Sequence, residues 1–272
     1  MESKSKLNSI TLTDSSSGSL HNEIEKALKP LGGLGKYISE EDRVLLKPNF
    51  NTADPFPASS DPDFLLTVAR MIMDITPNLT IIESSMFRLK TVNVIKKMMG
   101  ESISDLGVPL ITEQDYIYKN IDLQSLGAEY FKKVKLPEQI LDPEVKLILL
   151  PCLKTHFIAQ YTGALKLAVG FMEKKQRLRL HASRTVPERA AELNLGYKPH
   201  LIIMDARKIF VTKGPMDGQV ESPQKILVGI NRTEIDIEGV KIIQSYNADN
   251  MLKGKGALEA RTVKHALKLG IE

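Results

Sequence analysis

Val145-Lys146-Leu147-Ile148-Leu149-Leu150 is the most apolar run in the chain, and Pro151-Cys152-Leu153-Lys154-Thr155-His156 follows it directly. A short continuous apolar run closed by proline reads as a strand buried on both faces of a sheet. Lys154, Thr155 and His156 then fall just past the strand's C-terminal end, where open α/β sheets bind ligands. The segment continues through Tyr161-Thr162-Gly163-Ala164-Leu165-Lys166 to Gly170. Its spacing predicts a helix over about Thr162 to Met172, with Thr162 as its cap.

Working outward, similar apolar runs recur at Ser9 to Thr13, Val44 to Lys47, Leu79 to Glu83, Val108 to Ile111, Leu201 to Asp205 and Ile226 to Ile230. Helical spacing separates most of them: Leu20 to Leu31, Ser60 to Ile75, Thr91 to Met99, Pro187 to Leu195, Thr233 to Tyr246 and Leu258 to Leu269. Alternating strands and helices predict an α/β fold, a mainly parallel doubly wound sheet with helices on both faces. The reading is a single domain over residues 1–272 with a small insertion around 113–140, where the sequence is polar and weakly periodic. The basic stretch Glu173 to His181 reads as a loop or lid.

Bulk properties narrow the function classes. The 272 residues are 42% hydrophobic and 26% charged, enough to bury a core. A formal net charge of +4 is mild for a dedicated nucleic-acid binder. No apolar run approaches the roughly 18 residues that span a bilayer. Met1 to Lys6 is polar, which reads as a soluble cytoplasmic protein. The single cysteine, Cys152, excludes an intrachain disulfide, a thiolate zinc site and an Fe–S cluster held within this chain.

Four strand ends carry polar groups: Lys47-Pro48-Asn49, Glu83-Ser84-Ser85, Lys154-Thr155-His156 and Asp205. In a parallel sheet these ends share one edge, although polar residues also sit at ordinary turns. Lys47, Lys154 and Lys166 supply positive point charges, and Thr162-Gly163 at a helix start offers N–H groups to an anion. A phosphate or carboxylate metabolite fits this set. His156 is the proton-transfer candidate beside Lys154, against the commoner structural role of a lone histidine. Asn49, Glu83, Ser84, Thr155, Asp205 and Gly214 complete the candidate ligand-binding set. Glu83, Asp205 and Asp236 with His156 are a weaker metal alternative without supporting spacing, and buried, inert Cys152 outweighs reactive Cys152.

From Lys154 to Arg184 seven basic residues face one acid, Glu173, a local +6. Such a field attracts acidic ligands. It also supports an alternative, nucleic-acid binding through residues 174–184, although few aromatics interleave the run.

Val44-Leu45-Leu46-Lys47-Pro48-Asn49 followed by Ser60-Asp61-Pro62 is similar to the opening signature of a family of unknown function, DUF362. Leu153-Lys154-Thr155-His156 with Thr162-Gly163-Ala164-Leu165-Lys166 and Gly170 resembles its central signature. Asp205-Ala206-Arg207, Gly214-Pro215-Met216-Asp217-Gly218 and Asp236 resemble its closing one. The family's usual asparagine after the second lysine is Leu167 here. The resemblance implies occasional company with ferredoxin-type iron–sulfur domains. With one cysteine in this chain, a redox role then requires a separate iron–sulfur partner, a third reading in which this chain is non-catalytic.

Overall fold

The computed structural model describes residues 10–15 and 18–272. The expected strand start at Ser9, Ser16 and Ser17 of the serine loop, and polar Met1 to Lys6 lie outside them.

In chain order the first half runs β1 (Ile10–Asp14), α1 (Leu20–Leu28), β2 (Arg43–Lys47), α2 (Pro62–Met73), β3 (Leu79–Glu83), α3 (Thr91–Met99), the single turn α4 (Ser102–Asp105) and β4 (Leu110–Thr112). A two-stranded ribbon, β5 (Tyr118–Asp122) and β6 (Lys133–Pro137), leads into β7 (Val145–Leu149). A short hairpin, β8 (Lys154–His156) and β9 (Gln160–Thr162), then precedes α5 (Ala164–Leu167), α6 (Lys174–His181) and α7 (Val186–Glu192). The chain closes with β10 (Leu201–Ala206), β11 (Ile209–Phe210), β12 (Val220–Glu221), β13 (Lys225–Gly229), α8 (Arg232–Gln244) and α9 (Arg261–Lys268).

Among the described residues seven strands form one sheet in the order β1-β13-β10-β7-β2-β3-β4. The five from β10 to β4 run parallel; β13 is antiparallel to β10, and β1 is antiparallel to β13. Connections leave β2 toward β3 and β4, then return to β7 on its other side. The strand order therefore reverses between β2 and β7, where Lys47 pairs with Leu149. A crevice opens at such a switch point beyond the strand ends.

The alternation along each strand explains why both faces are covered. Val44, Leu46, Ile148, Leu201, Ile203, Ile226 and Val228 pack with α1, α2 and α3. Their neighbours Leu45, Leu147, Leu149, Ile202, Met204 and Leu227 pack with the ribbon and with α5, α7, α8 and α9. Successive strand residues point to opposite faces, so one continuous apolar run serves two cores. Helix ends follow local chemistry: Asp61 caps α2 with Pro62 in its first turn, and Asn231 Oδ1 accepts from Glu234 N at 3.0 Å at the start of α8.

Two expected elements differ. Residues 162–172 are not one helix: Thr162 ends β9, α5 has a single turn, and Ala168–Phe171 is a 3₁₀ turn. Of the basic 173–181 stretch, Lys174–His181 is a helix, not a loop, with Glu173 before it and with Arg177 and Leu180 buried. No helix among the described residues is long and apolar enough to cross a membrane.

Candidate functional site

A cavity of about 80 Å³ lies at the switch point, lined by side chains from strand ends and from α5 and α6. That volume holds a few waters or one compact ligand. Lys47, Asn49, Glu83, Ser84, Lys154, His156, Thr162 and Lys166 of the expected set line it, joined by Arg177 and His181. Thr155, Gly163, Asp205 and Gly214 do not line it. The strand ends that converge belong to β2, β3 and the hairpin after β7.

One wall is a neutral pair. Lys47, 1% exposed, donates to the Pro48 carbonyl at 2.7 Å and forms an ion pair with Glu83, equally buried. Burial pulls the Lys47 amine below its ordinary value, and Glu83 opposes that. Glu83 is fixed as a carboxylate acceptor by the Phe50 and Ser84 N–H groups, both at 2.7 Å. Gly170 leaves room for this lysine: a Cβ there would stand 3.2 Å from Lys47 Cε.

The other cations of the lining carry charge without a carboxylate in ion-pair contact. Lys154 Nζ donates to the Pro57 and Ala58 carbonyls at 3.0 and 2.9 Å and to Cys152 Sγ at 2.9 Å. Asn49 Nδ2 donates to the same sulfur at 3.2 Å. Arg177, 4% exposed, is held by the Ser84, Ser85, Gly170 and Met172 carbonyls and by Ser84 Oγ at 2.7 Å. Its Nε–H and the Thr162 hydroxyl are buried without a partner. Among the described residues neither Lys154 nor Arg177 forms an ion pair. Lys166 makes no hydrogen bond or ion pair there either. Burial first, then Lys154 and Arg177, pushes its amine down to about 7.

Two histidines face this charge with opposite tautomers. His156 Nδ1 accepts the N–H groups of Ile158 and Ala159 at 3.1 and 3.2 Å. Nδ1 therefore carries no proton, and a neutral ring must carry it on Nε2. Burial, then Lys166, His181 and Lys154, drives its pKa far down, so the ring is a fixed neutral donor. The sequence assigned it proton transfer; its geometry makes it a poor base. His181 Nδ1 lies 2.8 Å from the Arg177 carbonyl, which can only accept. That leaves His181 Nε2 as an acceptor, and burial lowers this histidine too.

The remaining candidates have other partners. The helix start at Gly163 does not offer free N–H groups: Ala164 N and Leu165 N donate to the Asp236 carboxylate at 2.6 and 3.1 Å, and Tyr161 Oη donates at 2.8 Å. Thr162 does not cap α5. Gly163 is needed because a Cβ there would stand 2.3 Å from Asp236 Oδ1. Burial raises Asp236 to about 7 against the pull of its three donors. Asp205 is clamped by Arg207, which also reaches Asp61. Thr155 Oγ1 donates to the Thr212 carbonyl at 2.8 Å. Gly214, at φ +63°, lets the backbone cross Thr155, whose carbonyl oxygen would lie 1.9 Å from a Cβ. Glu83, Asp205 and Asp236 are thus engaged separately, and no three potential ligands converge on a metal position among the described residues.

Sequence reading missed Arg177 as a site residue. Its signal was present: Lys174, Arg177 and His181 lie at i, i+3 and i+7, one face of a helix. Lys174 pairs with Glu113, while Lys175, Arg179 and Arg184 stay exposed.

Fold and cavity together define an α/β protein with a buried, cation-rich pocket at the switch point of a mostly parallel sheet. The chain belongs to the family described as a domain of unknown function, DUF362, whose model matches residues 44–241. It is 25% identical over 208 residues to the thylakoid-associated protein sll1697 of Synechocystis sp., spanning 74% of this chain and 63% of that one. A crystal structure of a Thermotoga maritima protein is similar with a TM-score of 0.45 and 10% identity, over 76% of this chain and 53% of that one.

Proposed function

We propose that this protein binds a small anionic metabolite, a phosphate or a carboxylate, in the switch-point cavity. The observation that carries the reading is charge balance. Lys47 and Glu83 cancel, while Lys154 and Arg177 are buried with carbonyl, thiol and hydroxyl partners and no carboxylate in ion-pair contact. Buried charge without a counterion is costly, and a bound anion supplies the missing partner. The donors that still lack an acceptor, Arg177 Nε–H and Thr162 Oγ1, suit the same ligand. So does His156 Nε2–H, a donor that adds no charge. The cavity volume favours a compact ligand over a nucleotide.

The test is calorimetry with inorganic phosphate, sulfate and pyruvate at low ionic strength. Binding of at least one of them, weakened by K154M and by added salt, is expected. No heat from any of the three up to about 1 mM, the affinity worth only about 4 kcal/mol, overturns the reading.

A further inference from the structure

Lys166 differs from the other cations of the cavity. Lys47 has a carboxylate, Lys154 has two carbonyls and a sulfur, and Arg177 has four carbonyls and a hydroxyl. Lys166 has none of these, and its amine opens on the cavity beside two immobilised cations. An ammonium there faces Lys154 and Arg177 without a carboxylate of its own; a neutral amine keeps its lone pair free. A ligand anchored through its anionic group by Lys154 and Arg177 then presents its next atom to a nucleophile.

We propose that Lys166 forms a Schiff base with the carbonyl carbon of a compact α-oxo acid whose carboxylate is held by Lys154 and Arg177. This rests on the anion-binding reading above and names the substrate class for it.

The step balances without a further reagent. The Lys166 nitrogen lone pair forms a C–N bond to the carbonyl carbon as the C=O π pair moves to oxygen. One amine proton passes to that oxygen, giving a carbinolamine. The second amine proton leaves with the hydroxyl as water when the C=N bond forms. His156 Nε2–H is placed to donate a hydrogen bond to the developing oxyanion, as an oxyanion donor does. His181 Nε2 is the acceptor through which amine protons can be relayed. The lowered Lys166 value of about 7 agrees, since it leaves a large neutral fraction at physiological pH. The charged and titratable groups facing the amine are Lys47, Glu83, Lys154, His156, Arg177 and His181.

The experiment incubates the full chain with glyoxylate or pyruvate and sodium cyanoborohydride, which reduces an imine to a stable secondary amine. Intact mass and peptide mapping follow. The expected result is one adduct per chain, at Lys166 ahead of the surface lysines, slowed by saturating phosphate and absent in K166Q, whose melting curve shows that it folds. Labelling spread over surface lysines, or none at Lys166 with either acid, overturns the inference. Phosphate calorimetry on the same preparation separates the two failures. Phosphate bound without a Lys166 adduct removes the imine and leaves the anion site; no adduct together with no heat from phosphate, sulfate or pyruvate removes both.

Discussion

The short helix α5 lies between two polar clusters with opposite balances. On one side Ala164, Leu165 and Tyr161 give three donors to one carboxylate, Asp236, and each finds its acceptor. On the other side, beginning with the very next residue, Lys166, donors outnumber acceptors: Arg177 Nε–H and Thr162 Oγ1 have no partner, and two cations lack a counterion. The first cluster is buried throughout; in the other Lys154, His156, Thr162 and Arg177 are buried and Lys166 is half-buried. The satisfied one is a brace that fixes the hairpin and helix start against α8. The unsatisfied one leaves buried donors without an acceptor among the described residues. The unmet hydrogen-bonding demand, not charge or burial alone, is what sets the cavity cluster apart from the brace and what the anion-binding proposal rests on.

The largest effect that would test this contrast is at the brace. Replacing Asp236 with Ala leaves two backbone N–H groups and the Tyr161 hydroxyl buried without an acceptor. The expected cost is about 3 kcal/mol or more of stability, read by denaturant unfolding. G163A should cost about 2 kcal/mol by driving a methyl into that carboxylate. Neither variant should alter phosphate affinity per folded molecule; a parallel loss of binding would merge the two clusters into one site.

At the cavity the order reverses. K154M should weaken phosphate binding by about 2 kcal/mol, near thirtyfold, by removing a buried positive charge beside the anion. Its effect on stability should be smaller than that of D236A, because a buried charge without a counterion is removed along with its bonds.

The pH dependence separates the clusters by sign. Asp236 sits at about 7 in the fold, above its ordinary 3.8, so the native chain holds this proton when the unfolded chain has lost it. Its contribution to stability is therefore full below about pH 4 and declines up to about 7. Lys166 sits at about 7, below its ordinary 10.5, so the unfolded chain holds the extra proton between these values. Stability from this group rises from about pH 7 to 10.5. His156 and His181, both lowered by burial, add a rising contribution through their ordinary value of 6.5. Each limb is thus read as wild type minus variant. D236N should flatten the falling limb, and K166M the rising one. A rising limb unchanged in K166M would mean that the Lys166 amine is not held down by its surroundings.

The framework was legible because it depends on local pattern. The run Val145 to Leu150 is apolar throughout, so it had to lie inside a two-faced sheet, and its proline stop placed Lys154 and His156 at the edge. The four polar strand ends were a sound guide to the edge, but not to which groups face the cavity. Asp205 reads like Glu83 in sequence, yet Arg207, two residues on, closes over it. The helix start at Gly163 looked open to an anion because Asp236, its occupant, is 73 residues away in sequence and no local signal links them. Arg177 was hidden for a different reason. A stretch with basic residues on several faces has little amphipathic pattern, so its helix shows only through the three residues that turn inward. Partners supplied by tertiary structure decide which polar groups are left over, and the residues at the site do not carry that information themselves.

The smallest predicted effect isolates one hydrogen bond. His156, a residue of the cavity lining, divides its ring: Nδ1 receives the Ile158 and Ala159 N–H groups and shapes the β8–β9 turn, which leaves Nε2–H as the donor proposed for the ligand. Asparagine places its Oδ1 near the position of Nδ1 and has nothing at Nε2. H156N should therefore keep the turn, with a melting temperature close to wild type, and lose the neutral donor. The expected loss in phosphate affinity is about 1 kcal/mol, roughly fivefold, and independent of pH from 6 to 8 because no charge is removed. The ¹⁵N shifts of His156 give a direct check, with Nδ1 expected in the unprotonated range throughout that interval. A loss that grows as pH falls would instead mean an imidazolium contact, and would move His156 from the neutral donors to the cations of the cavity.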